Sequence, residues 1–116
     1  MGEDSIVLAQ LLYSLGVFLE CSSCVSTTGR RMIENIIQLN WVIRLHPEGF
    51  VRRSLVYSLS RAYLRSSKSF ILQELENITV LWKEYLEDEA EYDPDEQVRH
   101  LSVCCLMIMK EIMENQ

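Results

Sequence analysis

Apolar residues return every three or four positions along most of this chain, and the polar residues between them fall where a helix turns to solvent. In IVLAQLLYSLGVFL, residues 6–19, only Gln10, Tyr13 and Ser14 relieve the apolar run, and Asp4 or Ser5 is placed to cap a helix over about 4–22. Residues 22–29 read as a loop. A second helix over about 28–45 lays Met32 or Ile33, Ile36 and Ile37, Asn40 and Trp41, and Arg44 and Leu45 along one side, and Leu39, Val42 and Ile43 widen the stripe. His46 and Pro47 end it, because the residue before a proline is pushed out of helical dihedrals while proline itself suits a first helical position. The third helix is therefore expected over 47–65, with Val51, Leu55, Leu59 and Ala62 inward. After Ser66 and Ser67 a fourth covers about 69–91, bent near Glu76 and Asn77, and dissolves into the acidic run EDEAEY. Asp93 then caps a fifth helix over about 94–114, with Pro94 in its first position and Glu96 at capping-box spacing.

The pattern also repeats at a longer distance. LHPEGFVRRSLVYSL (45–59) returns as YDPDEQVRHLSVCCL (92–106), so a shift of 47 residues lays Pro47 on Pro94, Glu48 on Asp95, Val51 on Val98 and Arg52 on Arg99. A period of roughly 40–47 residues with two or three helices per unit is the signature of HEAT or armadillo arrays. Much of the match is helix-start physics: proline sets the first turn, the acid favours the positive helix terminus, and valine opens the buried stripe. The arginine is less generic. It is expected to reach a carboxylate in a neighbouring unit's turn, from Arg52 or Arg99 to Asp93, Asp95 or Glu48. The fold class that follows is all-α, an α-α superhelix of HEAT-like repeats with about five antiparallel helices in a single domain spanning 1–116.

Both ends of that array are unusually apolar. The first helix has almost no polar face, and LSVCCLMIM (101–109) is apolar nearly all round. Terminal repeats of a solenoid need polar caps, so either the chain is a piece of a longer array or partner surfaces cover its ends, unless both helices meet inside one compact five-helix bundle.

Composition narrows the function classes. Four glycines and two prolines in 116 residues leave little material for an all-β fold. The net charge of −6 is unevenly spread: residues 1–29 carry −3, residues 30–68 carry eight bases against two acids, and residues 69–116 carry three bases against twelve acids. An acidic chain is repelled by phosphate backbones and anionic lipid, which disfavours nucleic acid and membrane partners. The basic flank over 30–68 is the one region that keeps open an alternative reading, an independent all-helical nucleic-acid-binding module. The contacts expected for a protein-binding surface are Arg44, Arg52, Arg53 and Arg61, together with Leu106, Met109 and Met113 on the last helix.

Site chemistry is sparse. Cys21 and Cys24 have half the spacing of a zinc site and lack the other half, and no strand precedes them as a thioredoxin-like motif needs. Cys104 and Cys105 are adjacent, so free thiols in a reducing compartment are expected. His46 and His100 sit in helix first turns without a nucleophile, and neither a phosphate-cradling glycine loop nor a paired-carboxylate setting is present. No enzymatic activity, cofactor or metal is expected. The apolar run at the start follows Glu3 and Asp4 rather than basic residues and is too short to cross a bilayer, which points to a cytosolic or nuclear protein.

WVIRLHPEGFVRRSLVYSLSRAYL (41–64), followed by an acidic helix and DPDEQVRHLSVCCLMIMKEI (93–112), resembles the C-terminal segment of the telomere length regulation protein family. The resemblance runs from about Leu12 onward, and Trp41 to Arg53 is its most specific part. It implies a non-enzymatic α-solenoid adaptor within a three-member co-chaperone complex. That complex works with the ninety-kilodalton heat-shock chaperone and RuvB-like ATPases to mature and stabilise phosphatidylinositol 3-kinase-related kinases. Members of that family are several times longer, and the acidic phosphorylated linker through which they engage their chaperone adaptor has no counterpart in these residues.

Overall fold

In a computed structural model that describes residues 2–21 and 27–115, five helices account for nearly all of the chain. Helix α1 spans Gly2–Cys21, α2 Thr27–Val42 and α3 Gly49–Leu64. The fourth, α4, is composite: one turn over Lys68–Phe70, a π-helical stretch over Ile71–Leu75 and a regular helix over Glu76–Tyr92. Helix α5 spans Glu96–Asn115. Among the described residues there is no strand.

α1, α3 and α5 form one layer with α3 in the middle, its most extensive contacts being to α1 and then to α5. α2 packs on α3 and α4 on α5, and together they make the second layer. Two ties hold the layers in register, Asn40 of α2 donating from Nδ2 to the Leu55 carbonyl at 3.2 Å and the Tyr63 and Thr79 hydroxyls meeting at 2.7 Å, while within the second layer Trp41 of α2 meets Trp82 of α4 edge-on at 5.0 Å. Between the layers Leu12, Leu19, Ile33, Ile37, Val51, Leu55, Leu59, Trp82 and Leu86 are sealed from solvent. The fold is therefore all-α and repeat-like, with a radius of gyration of 13.5 Å, close to the roughly 13 Å expected of a compact domain of this length.

Three local features differ from the sequence expectation. α2 stops at Val42 and Ile43–Leu45 form a turn, closed by the His46 amide donating to the Ile43 carbonyl at 3.1 Å. α3 and α5 begin two residues after their prolines rather than on them. Glu48 is extended, with φ −84° and ψ 124°, so Pro47 belongs to the corner that precedes the helix. At the second corner the cap is Asp95 and not Asp93: Asp95 Oδ1 accepts from the Gln97 and Val98 amides at 2.9 and 3.1 Å. The bend in α4 falls at Leu75, with φ −120° and ψ 6°, where the π-helical stretch ends. An extra residue in that turn brings Phe70, Ile71 and Leu75 all to the buried side, which a regular helix at those spacings does less well.

Candidate functional site

The two proline corners carry the same hydrogen bonds 47 residues apart. His46 Nδ1 accepts from the Glu48 amide at 3.1 Å, and Asp93 Oδ1 accepts from the Asp95 amide at 2.8 Å. Arg52 folds back to donate from Nη1 to the His46 carbonyl at 2.8 Å and the Pro47 carbonyl at 2.9 Å. Arg99 donates from Nη1 to the Asp93 carbonyl at 2.6 Å. Val51 and Val98, at the head of the two buried stripes, are both fully buried. Arg52 and Arg99 thus reach back alike to the carbonyls of the corners that hold Pro47 and Pro94, whereas Asp95 caps its helix with its side chain and its counterpart Glu48 does not.

The corners are also joined to each other. Arg52 Nε donates to Asp93 Oδ2 at 2.9 Å and Nη2 to Asp93 Oδ1 at 3.1 Å, a two-pronged ion pair in which the Asp93 side chain keeps 1% of its exposure. Of the two arginines and three acids that the sequence offered, Arg52 and Asp93 make the bridge. Gly49 allows the corners to meet: a Cβ there would stand 2.5 Å from Asp95 Oδ2, on a carboxylate already held by two amides.

A second acid completes the cluster. Burial by itself would push the Asp93 carboxyl up, but hydrogen bonds from Arg52, from Glu89 and from the Asp95 amide, with the charge of Arg52, hold it below its usual range. The Glu89 carboxyl is pushed up to about 8, first by burial and then by its hydrogen bond to Asp93 and that group's charge. Near neutral pH Glu89 therefore carries the proton that it donates to Asp93. The Arg52 guanidinium is held above its ordinary value by the Asp93 hydrogen bond, against burial. Alongside, the Tyr85 hydroxyl donates to the Arg44 carbonyl at 2.6 Å, and burial raises its phenol.

The arginines proposed from sequence as contacts are engaged within the fold. Arg44 lies with Cζ 3.8 Å above the Trp41 ring and donates from Nη1 to the Trp41 carbonyl at 2.7 Å. Arg53 donates to Gln97 Oε1 at 2.9 Å and has Nε 3.5 Å from Asp95 Oδ2, while Arg61 stands 5.1 Å over the Tyr57 ring. A stripe of free guanidinium groups suited to a phosphate backbone is not what these residues make. On α5, Met109 is buried in the core, since it follows Cys105 and precedes Ile112 on the inward side. Leu106 and Met113 are half-buried and, with Met109, Ile71, Thr79 and Lys83, line a cleft of about 410 Å³ between α4 and α5. The outward apolar residues of α5 are Val103 and Met107 instead.

The remaining chemistry is modest. Cys104 Sγ lies 3.7 Å from His100 Nε2, Cys105 is buried, and both are free thiols. Among the described residues no three His, Cys, Asp or Glu side chains gather as a metal site; Cys24 and the side chain of Cys21 lie outside them. No described helix is long and apolar enough to cross a membrane. Glu89, Tyr85 and Gly49 were not singled out from sequence. Glu89 is one acid among several in a run, and only the fold shows which of them faces the corner.

The sequence that builds these corners is similar to that of known proteins. The chain is 29% identical over 112 residues to the human telomere length regulation protein TEL2 homolog, covering 97% of this chain and 13% of that protein. It is 26% identical over 118 residues to the Xenopus laevis homolog, covering 99% and 14%, and 27% identical over 117 residues to the mouse homolog, covering 98% and 14%. The chain is similar to one segment of the TEL2 homologs. That segment lies in their C-terminal part, and the chain spans about one-seventh of the length of these relatives. No family model matches the chain, and no solved structure matches it significantly.

Proposed function

We propose that this chain is a non-enzymatic protein-binding scaffold segment that acts in telomere length regulation, as the C-terminal part of a co-chaperone adaptor for phosphatidylinositol 3-kinase-related kinases. The observation that carries the reading is the pair of corners locked by Arg52 and Asp93, in a chain similar to the TEL2 homologs over nearly all of its length. A bidentate, nearly dry ion pair between repeat units fixes the angle between them, which is what a solenoid needs to present a rigid surface. The partners are the other subunits of the co-chaperone complex and, through it, the kinases and their chaperones. The contact surface is the Arg44, Arg53 and Arg61 flank with the Leu106 and Met113 rim of the α4–α5 cleft, and the complex works in the cytoplasm and nucleus.

The test is co-purification of the tagged chain from cells, with immunoblots for the kinases and the ninety-kilodalton chaperone. Wild type is expected to retain them, and Arg61→Glu combined with Met113→Glu is expected to lose them while its helical circular dichroism is unchanged. Absence of these proteins from the wild-type sample would overturn the reading, as would equal retention by the folded variant.

A further inference from the structure

The cleft between α4 and α5 is apolar below its rim and holds one hydrogen-bond donor that the fold does not use. Ile71, Leu106, Met109 and Met113 form its walls. The Tyr63 and Thr79 hydroxyls line its buried side 2.7 Å from each other, Tyr63 fully buried and Thr79 9% exposed. Two hydroxyls carry two protons, and the bond between them uses one. Among the described residues neither hydroxyl has another hydrogen-bond partner. Elsewhere the fold engages such protons: Ser60 and Ser66 donate to the carbonyls four residues back, those of Val56 and Ala62, both at 2.9 Å. The carbonyl four residues before Thr79 is that of Leu75, where the π-helical stretch ends with φ −120° and ψ 6°, and Thr79 makes no such bond.

The rim adds no net charge. Lys83 and Glu87 stand on α4 and Lys110 and Glu114 on α5, with Lys110 Nζ 4.0 Å from Glu114 Oε1. A charged ligand therefore meets no excess of the opposite sign, and it would lose its hydration against apolar walls. Water fits poorly, because an ordered water needs roughly two to four polar partners and the two hydroxyls are the only polar side chains below the rim. A peptide backbone fits no better, since each residue brings an N–H and a C=O that the walls cannot match. An apolar side chain of a protein partner would fill the space and leave the hydroxyl proton without an acceptor. The volume, about 410 Å³, lies within the roughly 300–1,000 Å³ of small-molecule sites.

We propose that this cleft binds a small uncharged molecule with an aliphatic body and one carbonyl group. The carbonyl accepts the unused proton of the Tyr63–Thr79 pair, and the body lies along Ile71, Leu106, Met109 and Met113. The two methionines are unbranched and adapt to the shape of the ligand. The binding does not rest on the scaffold reading, since every group it uses belongs to α3, α4 and α5 of this chain.

Carbon-13 methyl-methionine NMR of the 116-residue chain, titrated with 2-nonanone, tests this. The Met109 and Met113 signals are expected to shift saturably, with half-saturation below about 1 mM, while Met107, 64% exposed on the outward face, stays in place. Absence of saturation, or an equal shift at Met107, overturns the proposal. Tyr63→Phe combined with Thr79→Val removes both hydroxyls and keeps the shape of the cleft, and circular dichroism verifies folding. This double variant is expected to bind 2-nonanone about tenfold more weakly and toluene, which has no carbonyl, as wild type does. Equal affinity of wild type and the folded variant for 2-nonanone refutes the carbonyl site. Wild type also supplies a check that needs no variant. Nuclear Overhauser contacts are expected between the Thr79 methyl and the ketone methyl beside the carbonyl, and contacts to Thr79 from the far end of the ketone alone overturn the assignment.

Discussion

The two seams flanking α3 share a register and differ in chemistry. On the α1 side the helices approach through small and flat residues: Gly16 brings backbone up to the Tyr57 ring, and Tyr13 stacks on the same ring with an interplanar angle of 20°. On the α5 side the buried tie is the ion pair from Arg52 to Asp93, in the corner that precedes α5, backed by Glu89 at the end of α4, while Arg52 also holds carbonyls of the first corner. One seam tolerates no added volume, and the other tolerates no lost charge. A helical repeat therefore constrains where neighbouring helices meet, but leaves each meeting free to use packing or electrostatics.

The comparison breaks most visibly at Asp93. Asp93→Ala leaves a nearly dry guanidinium without its partner and the Asp95 amide without its acceptor, and is expected to lower stability by about 3–5 kcal/mol in urea unfolding. In a double-mutant cycle with Arg52→Ala, a coupling below about 0.5 kcal/mol would show that the pair does not act as a unit.

On the packing side Gly16→Leu is the matching test. A Cβ at that position already stands 2.6 Å from Tyr57 Cε2 and 3.3 Å from the Ser58 Cα, so the larger side chain forces α1 away from α3. The expected loss is about 2–3 kcal/mol, and it should add independently to that of Asp93→Ala because the two sites share no partner. Strong non-additivity would mean that the seams are not separate.

The third effect is visible as a slope against pH. Glu89 is pushed up to about 8 in the folded chain, so the folded state keeps a proton that the unfolded state releases near its ordinary value. The stability this contributes is complete below the unfolded value and drains away as pH rises through about 8. Asp93, held low, acts in the opposite sense: its contribution is present above its unfolded value and disappears on acidification through the folded one. Glu89→Gln keeps a neutral donor in place and is expected to flatten the decline in unfolding free energy between about pH 5 and pH 9. An unchanged slope would assign the proton elsewhere.

The smallest effect belongs to Arg53. It is adjacent to Arg52 in sequence, but its side chain is 36% exposed and its nearest carboxylate oxygen is 3.5 Å away. Arg53→Ala should change stability by less than about 0.5 kcal/mol, while Arg52→Ala approaches the Asp93 value. Equal losses at the two arginines would contradict the division between a buried bridge and a surface contact.

Local physics made part of this readable in advance. The five helices, the proline corners and Val51 and Val98 at the head of buried stripes follow from spacing, from what proline forbids to its predecessor, and from burial of one face. The pairing of an arginine with a corner acid was expected from the same repeat, with Asp93 among the candidates. Details decided by short-range competition were less readable. Whether proline or a carboxylate begins a helix depends on which side chain reaches a free amide, and Asp95 reached two.

What the amino-acid order determined by itself was the helical class, the 47-residue period and the excess of apolar residues on the first and last helices, because each is a property of neighbours along the chain. The tertiary structure alone decided that Arg52 rather than Arg99 has a carboxylate, that Glu89 is the acid that keeps its proton, and that Met109 turns inward while Met107 does not. Those outcomes depend on which surfaces meet across the layer, where burial and charge act between residues some forty positions apart and no local pattern can rank the candidates.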